Sequence, residues 1–190
     1  GIVKSVDRPT TCKKRFLAKN HQMLRMDSES CQGLSAKEFD DVVAAIDRLI
    51  KPASMILISD YAKGMISKEL MNYVMVQAKR FGCTVMVDPK GPLFTKYSGV
   101  DYLKPNSKEF GQIVEFFQLP AHQTFEEHGR EICSLLSIKG LVVTMGEKGI
   151  AYIDAEKTIY SPAHKREVYD LTGAGDTVFA FLALGLANNF

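Results

Sequence analysis

The stretch MILISDYAKG, residues 55–64, joins a short apolar run to a polar turn that ends in glycine. The same pattern recurs at 84–91 (TVMVDPKG), 101–109 (DYLKPNSKE) and 141–149 (LVVTMGEKG). Short runs of apolar residues bounded by turn residues are typical of strands that are buried on both faces of a parallel sheet. The four stretches together predict an α/β fold with a mostly parallel sheet.

Helical stretches separate these strands. Ser35, with Glu38 three residues later, is the pattern of a capping box and predicts a helix that runs to about Lys51, before Pro52. Further helices are predicted at about 68–81, 107–117 and 124–138 and from Gly175 onward, and β-hairpins at 10–27 and 150–161. Because helices alternate with strands, we expect helices on both faces of one sheet.

The polar clusters share one position: each directly follows a predicted central strand. In a parallel sheet these positions are carboxyl ends, and they lie along the edge at which open α/β sheets bind ligands. Strand ends attract turn residues in any protein, so one cluster alone means little. Four clusters in register predict a functional edge.

Composition excludes several classes of protein. The 190 residues are 46% hydrophobic, which provides for a real core, and the net charge is only +2 with scattered basic residues. These features argue against nucleic acid as the main partner. We find no apolar stretch of membrane-spanning length and no signal-peptide pattern. The four cysteines are far apart, so we expect reduced thiols in a cytoplasmic protein, with no structural zinc.

The segment DLTGAGD, residues 170–176, carries the clearest chemical signal. Small residues at 173–175 precede a long apolar stretch, which places them at a helix N-terminus, where unpaired N–H groups and the helix dipole favour an anion. The carboxylate of Asp176 beside such a site suits a general base for phosphoryl transfer. The alternative is that Asp176 merely caps the helix and the glycines form a tight turn; spacing alone leaves both open.

Standard nucleotide-binding loops are missing. The sequence contains neither G-x-x-x-x-G-K-[ST] nor G-x-G-x-x-G. An ATP site in this chain must therefore be built in another way.

DLTGAGD resembles the C-terminal signature of the ribokinase-like, or PfkB, carbohydrate kinases. Within that family, the heptose kinases of ADP-heptose synthesis have segments that are similar, in order and spacing, to four stretches of this chain. These stretches are SDYAKG, VDPKG, YLKPNSKE and VVTMGEKG. The resemblance implies a ribokinase-like kinase domain over 1–190, with a small β lid at about 1–30 and an α/β core over 31–190. It also implies ATP-dependent phosphorylation of D-glycero-β-D-manno-heptose 7-phosphate at O1, in the synthesis of lipopolysaccharide precursors.

The resemblance assigns roles to single residues. Asp176 corresponds to the catalytic base, and its amide, with Gly173, Ala174 and Gly175, corresponds to the anion hole. The residues that correspond to positions near the nucleotide are Asn106, Ser107, Lys108, Glu109, Thr144 and Gly146. Asn106 and Glu109 belong to an N-x-x-E element that helps to hold Mg²⁺ through water, which suits a cation that keeps several waters.

Two further residues are candidates for substrate contacts. Lys90 could reach a phosphate oxygen, or it could be a solvated loop lysine. Asp60 could orient the sugar, or it could simply end a strand, which we consider the better interpretation.

The early hairpin also has two interpretations. Its cations are Lys13, Lys14, Arg15 and Arg25. In ribokinase-like enzymes such a segment forms a lid over the sugar and a homodimer interface, where a cation could meet the 7-phosphate. The alternative is a solvated strand face.

Members of this family continue before Gly1 and beyond Phe190, so we expect this chain to be an internal portion of a kinase domain that lacks most sugar contacts. No H-x-G-H nucleotidyltransferase motif is present around its four histidines. Two other hypotheses stay open. One is a different sugar or nucleoside kinase of this fold, and the other is a nucleotide-binding fragment without catalysis.

Overall fold

The computed structural model describes residues 2–5, 8–18, 21–51, 53–164 and 173–188. The strands are β1 Cys12–Ala18, β2 His21–Ser28, β3 Met55–Ser59, β4 Thr84–Asp88, β5 Tyr102–Leu103, β6 Gly140–Thr144, β7 Ile150–Ile153 and β8 Thr158–Ser161. The helices are α1 Ala36–Ile50, α2 Lys68–Phe81, α3 Ser107–Phe116, α4 Phe125–Leu136 and α5 Ala174–Ala187. Pro52, predicted to end α1, and the first three residues of the signature, 170–172, lie outside the described residues.

The central sheet has six strands in the order β3-β4-β5-β6-β7-β8. The pairs from β3 to β6 are parallel, and β7 and β8 form an antiparallel hairpin, so the predicted mostly parallel sheet is confirmed. The strand β5 is shorter than the predicted 101–104. Its flanks still bond to β4, because the Asp101 carboxylate accepts from Val85 N at 2.7 Å and Lys104 N donates to Val87 O at 2.8 Å.

Alternate residues of the strands point to opposite faces of this sheet, as the period of two requires. Val85 and Val87 of β4 lie in the core cluster that includes residues of α1 to α4. Met86, between them, packs in a second cluster with Phe179 of α5. The sheet therefore carries four helices on one face and α5 on the other, as the alternation of strands and helices predicts.

Helix ends follow the local sequence signals. The Ser35–Glu38 capping box is present at the start of α1, and Ser67 caps α2. Gly82 ends α2 in the left-handed conformation with φ 68°. Among the described residues, no helix combines the length and the apolar character that crossing a bilayer requires.

The hairpin β1–β2 is a separate antiparallel sheet whose residues are all exposed. Its cation Arg25 pairs with Asp27 at 2.8 Å. The segment after the hairpin meets the loop that follows β3, where the Lys63 ammonium pairs with Glu29. The loop at 60–64 thus joins the hairpin to the central sheet.

Gly64→Ala is expected to destabilise the fold more than Gly82→Ala. Both glycines have positive φ, which costs an alanine about 1–2 kcal/mol. A Cβ on Gly64 would also lie 2.1 Å from the Gln32 carbonyl oxygen, whereas nothing lies within 4 Å of one on Gly82. Thermal unfolding of the two purified variants measures the difference. Equal unfolding midpoints would contradict the close approach of the two backbones.

Candidate active site

The ends of the parallel strands are joined by backbone hydrogen bonds. Asp60 N, after β3, donates to Asp88 O at the end of β4, at 3.1 Å. Thr144 N, at the end of β6, donates to Pro105 O, after β5, at 3.0 Å. The four polar clusters therefore lie side by side along one edge of the sheet, as predicted.

The N-x-x-E element forms the start of α3. The Asn106 side chain accepts from Glu109 N at 2.9 Å, and Glu109 Oε2 accepts from Asn106 N at 2.9 Å, which is a capping box. The other Glu109 oxygen accepts from Lys90 Nζ at 2.7 Å. Glu109 is only 5% exposed, whereas the Lys90 side chain is about half exposed. The ion pair thus holds the Lys90 ammonium at this edge, while about half of the side chain stays exposed to solvent.

Other nucleotide candidates surround this cap. Ser107 and Lys108 are exposed in the first turn of α3. The Ser107 hydroxyl donates to Thr144 O at 3.4 Å, and Thr144 forms an isolated parallel bridge with Asn106. Gly146, exposed with φ 58°, opens a short 3-10 turn that the sequence did not predict. All of these residues lie at one end of the sheet.

The Asp60 carboxylate accepts three hydrogen bonds from neighbouring protein groups. It is 6% exposed and accepts from Lys96 Nζ at 2.5 Å, from the Tyr97 hydroxyl at 2.6 Å and from Ala62 N at 2.7 Å. Burial, and then the bond to Asp60, raise the pKa of Tyr97, so its hydroxyl stays a donor. These contacts support the interpretation of Asp60 as the end of a strand.

Small residues form the N-terminus of α5. Gly173 is the N-cap with φ 79°, and it has no side chain with which to cap the first turn. Asp176 is the third residue of the helix and does not occupy the N-cap position. Among the described residues, no atom outside the adjoining backbone lies within 4 Å of the positions at which Gly173 and Gly175 would carry a Cβ. Exposed backbone N–H groups and a carboxylate therefore lie together at this helix end.

The pair Asp88–Lys104 was not found from the sequence. Lys104 Nζ lies 3.0 Å from Asp88 Oδ2 with its side chain 3% exposed, and 5.6 Å from the ring centre of Phe179 in α5. Burial raises the pKa of Asp88, Lys104 opposes that shift, and the charges of Glu109 and Asp176 add to it. Lys104 thus contacts both Asp88, at the end of β4, and Phe179, one turn after Asp176 in α5, so the first turns of α5 lie near this edge of the sheet. The sequence signal that could have indicated a buried ion pair is the lysine directly after the apolar residues of a buried strand (YLK, 102–104).

The family of the chain follows from comparison with known proteins. The family described as pfkB family carbohydrate kinase matches residues 5–189. The chain belongs to this family. The bifunctional protein HldE of Methylobacillus flagellatus is 39% identical to it over 188 residues, which cover 97% of this chain and 38% of that protein. This chain therefore spans little more than a third of the length of that relative.

Solved structures of other proteins share the fold. A ribokinase of Thermotoga maritima has a TM-score of 0.71 at 22% identity, covering 96% of this chain and 58% of its own. A ribokinase of Arabidopsis thaliana complexed with ribose and ATP has a TM-score of 0.66 at 22% identity, with the same coverage of both chains. The predicted ribokinase-like α/β fold is confirmed.

Proposed function

We propose that this chain is the kinase portion of an enzyme that transfers the γ-phosphoryl group of ATP to a sugar hydroxyl, with Asp176 as the general base. One observation carries the proposal. The Asp176 carboxylate lies in the first turn of a helix that begins with Gly173, Ala174 and Gly175, and Lys104 links this helix to Asp88 on the sheet edge that also bears the Asn106–Glu109 cap. Membership of a carbohydrate kinase family and the ATP in the Arabidopsis ribokinase structure support the same chemistry.

In the proposed reaction, Asp176 accepts the proton of the attacking sugar hydroxyl. The hydroxyl oxygen forms a bond to the γ-phosphorus, and the bond between that phosphorus and the bridging oxygen of ADP breaks. The amides of Gly173, Ala174, Gly175 and Asp176 are suited to stabilise negative charge on the transferred group. Both parts of this site belong to one helix end, so their relative placement is set by α5.

We assign the nucleotide to the loops after β5 and β6. The supporting residues are Asn106, Ser107, Lys108, Glu109, Thr144 and Gly146, which lie at one end of the sheet. Lys90 is a candidate for a phosphate contact, because its ammonium is held at this edge and its side chain is half exposed.

The described residues fit a water-mediated contact to Mg²⁺ better than a direct metal cage. They contain no group of three or more Asp, Glu, His or Cys side chains that could hold a metal ion. The oxygens of Asn106 and Glu109 are engaged in the α3 cap and the Lys90 pair. We propose that Glu109 orients water bound to the metal, while Mg²⁺ itself would neutralise phosphate charge.

Glu109→Gln tests this role. Glutamine can still complete the capping box, so the fold is expected to persist, but the carboxylate charge is lost. The Mg²⁺ concentration that gives half-maximal rate in the full-length protein is expected to rise several-fold. A rate assay over a magnesium titration measures it, with thermal unfolding as the control for the cap. An unchanged metal dependence would remove Glu109 from metal binding.

For the substrate we propose D-glycero-β-D-manno-heptose 7-phosphate, phosphorylated at O1. Two observations support this substrate. Four segments at the sheet edge resemble segments of heptose kinases, and the chain is 39% identical in sequence to a bifunctional protein HldE. A panel of sugar phosphates and sugars assayed with ATP and the full-length protein tests the specificity. Faster turnover of fructose 6-phosphate or ribose would favour another sugar kinase. Calorimetry with ATP and Mg²⁺ on residues 1–190 alone tests the remaining hypothesis, and binding without turnover there would favour a nucleotide-binding fragment without catalysis.

We also propose that the hairpin β1–β2 is the lid and a homodimer interface. Its large apolar side chains Phe16, Leu17, Met23, Leu24 and Met26 are about half exposed or more. An apolar surface of this kind marks an interaction site. Sedimentation of the full-length protein measures the oligomeric state.

The four free thiols support a reducing, cytoplasmic location.

A further inference from the structure

We propose that Tyr61 is a positioning residue for Asp176, whose carboxylate it orients through a hydrogen bond from its phenol hydroxyl. Tyr61 Oη lies 3.4 Å from Asp176 Oδ1, across 115 residues of sequence. The inference rests on the proposed role of Asp176 as general base. Tyr61 lies in the loop after β3, whereas Asp176 lies in the first turn of α5.

The backbone that carries Tyr61 is held on both sides. The preceding Asp60 is buried and bonded to Lys96 and Tyr97, as described above. The following Ala62 donates its N–H back to Asp60 at 2.7 Å and adopts a left-handed φ of 55°. Gly64 then passes against the backbone of Gln32 with no room for a side chain. The backbone position of Tyr61 is therefore fixed by its neighbours, and the fold determines how close its side chain comes to α5.

The helix that carries Asp176 is also anchored. Phe179, one turn further along α5, is 5% exposed and packs with Met86 and Val142 of the sheet. Lys104 Nζ lies 5.6 Å from the centre of its ring and is itself paired with Asp88. Two independently anchored elements thus bring the hydroxyl and the carboxylate together.

The contact has a chemical consequence. A distance of 3.4 Å is long for a hydroxyl–carboxylate bond. Catalytic hydrogen bonds are often long in an empty site and shorten when substrate binds. A donor on Oδ1 restrains the rotation of the carboxylate and leaves Oδ2 to accept the substrate proton. Tyr61 would therefore hold Asp176 in the rotamer that a general base requires.

Tyr61→Phe in the full-length protein tests the inference, because it removes only the hydroxyl. We expect kcat to fall about tenfold, the factor for losing a hydrogen bond to a charged group, with the KM for ATP nearly unchanged. The split between kcat and KM is the readout, because a general disturbance of the fold would change both constants. Asp88 and Lys104, the ion pair packed against α5, remain in place in this variant.

The matched control is Tyr160→Phe. The Tyr160 hydroxyl also bonds a carboxylate, that of Glu126, and the residue is similarly exposed, at 52% against 57% for Tyr61. We expect wild-type kcat from this variant. A comparable loss in both variants would overturn the inference, since it would show a general effect of losing a surface hydroxyl.

Two further outcomes separate the inference from the proposed function. Wild-type kcat in Tyr61→Phe, beside a large loss of kcat in Asp176→Asn, would overturn the role of Tyr61 and leave the base in place. A raised KM with unchanged kcat would also overturn it, because Tyr61 would then contact substrate only. Activity that survives Asp176→Asn would remove the proposed base, and the positioning role with it.

Discussion

Asp176→Asn in the full-length protein is expected to lower kcat by about 10²–10⁴-fold, the usual cost of losing a general base. Asparagine is nearly isosteric with aspartate but cannot accept the proton of the attacking hydroxyl. ATP affinity should change little, because the backbone N–H groups at the start of α5 remain. Steady-state kinetics and calorimetric titration with ATP measure the two quantities.

The control for this substitution is Asp40→Asn, which removes an exposed carboxylate from α1. Its kcat should match the wild type. If Asp176→Asn turned over substrate at a rate close to that of the control, Asp176 would have no part in the chemistry.

Lys104→Met is expected to destabilise the fold by about 3–5 kcal/mol, the range for breaking a buried ion pair from one side. Lys104 is 3% exposed, and its loss leaves Asp88 charged in a site that already raises the pKa of that carboxyl. The double variant Lys104→Met/Asp88→Asn should recover much of the loss, since neither charge then remains buried. Denaturant unfolding at neutral pH measures all three proteins.

The pH dependence of this effect has a definite sign. Burial raises the pKa of Asp88 in the fold, so the folded state holds a proton there more readily than the unfolded chain does. Without Lys104, which lowers that pKa, the carboxyl should protonate at still higher pH. The difference in unfolding free energy between wild type and Lys104→Met should therefore shrink as the pH falls below neutral. A difference that grows on acidification would contradict an unpaired Asp88 as the cause.

The surface pair Lys139–Asp101 provides the comparison. Its atoms are 2.7 Å apart, but the Lys139 side chain is 67% exposed, so solvent screens the attraction. Lys139→Met should cost less than about 1 kcal/mol. Equal losses from Lys139→Met and Lys104→Met would show that burial does not control the size of the effect.

Much of the architecture was predictable because its signals are local. A capping serine with glutamate three residues on, as at Ser35, and a glycine just past a helix, as at Gly82, act within one turn of the backbone. Apolar runs of strand length identify the central strands in the same way. The Asn106–Glu109 element was also visible, although the structure shows that its two side chains cap α3 in addition to any role toward a nucleotide.

The amino-acid sequence by itself determined the order of strands and helices, the family signature at 170–176 and the alignment of four polar clusters on one edge. Each of these depends on neighbours in the chain or on the rule that parallel strands end at a common edge. Tertiary structure alone decided that Asp60 faces Tyr97, that Lys104 reaches Asp88, and that Tyr61 meets Asp176. These contacts join separate loops and strands, and whether a polar side chain meets solvent, a ligand or a buried partner depends on how those elements pack.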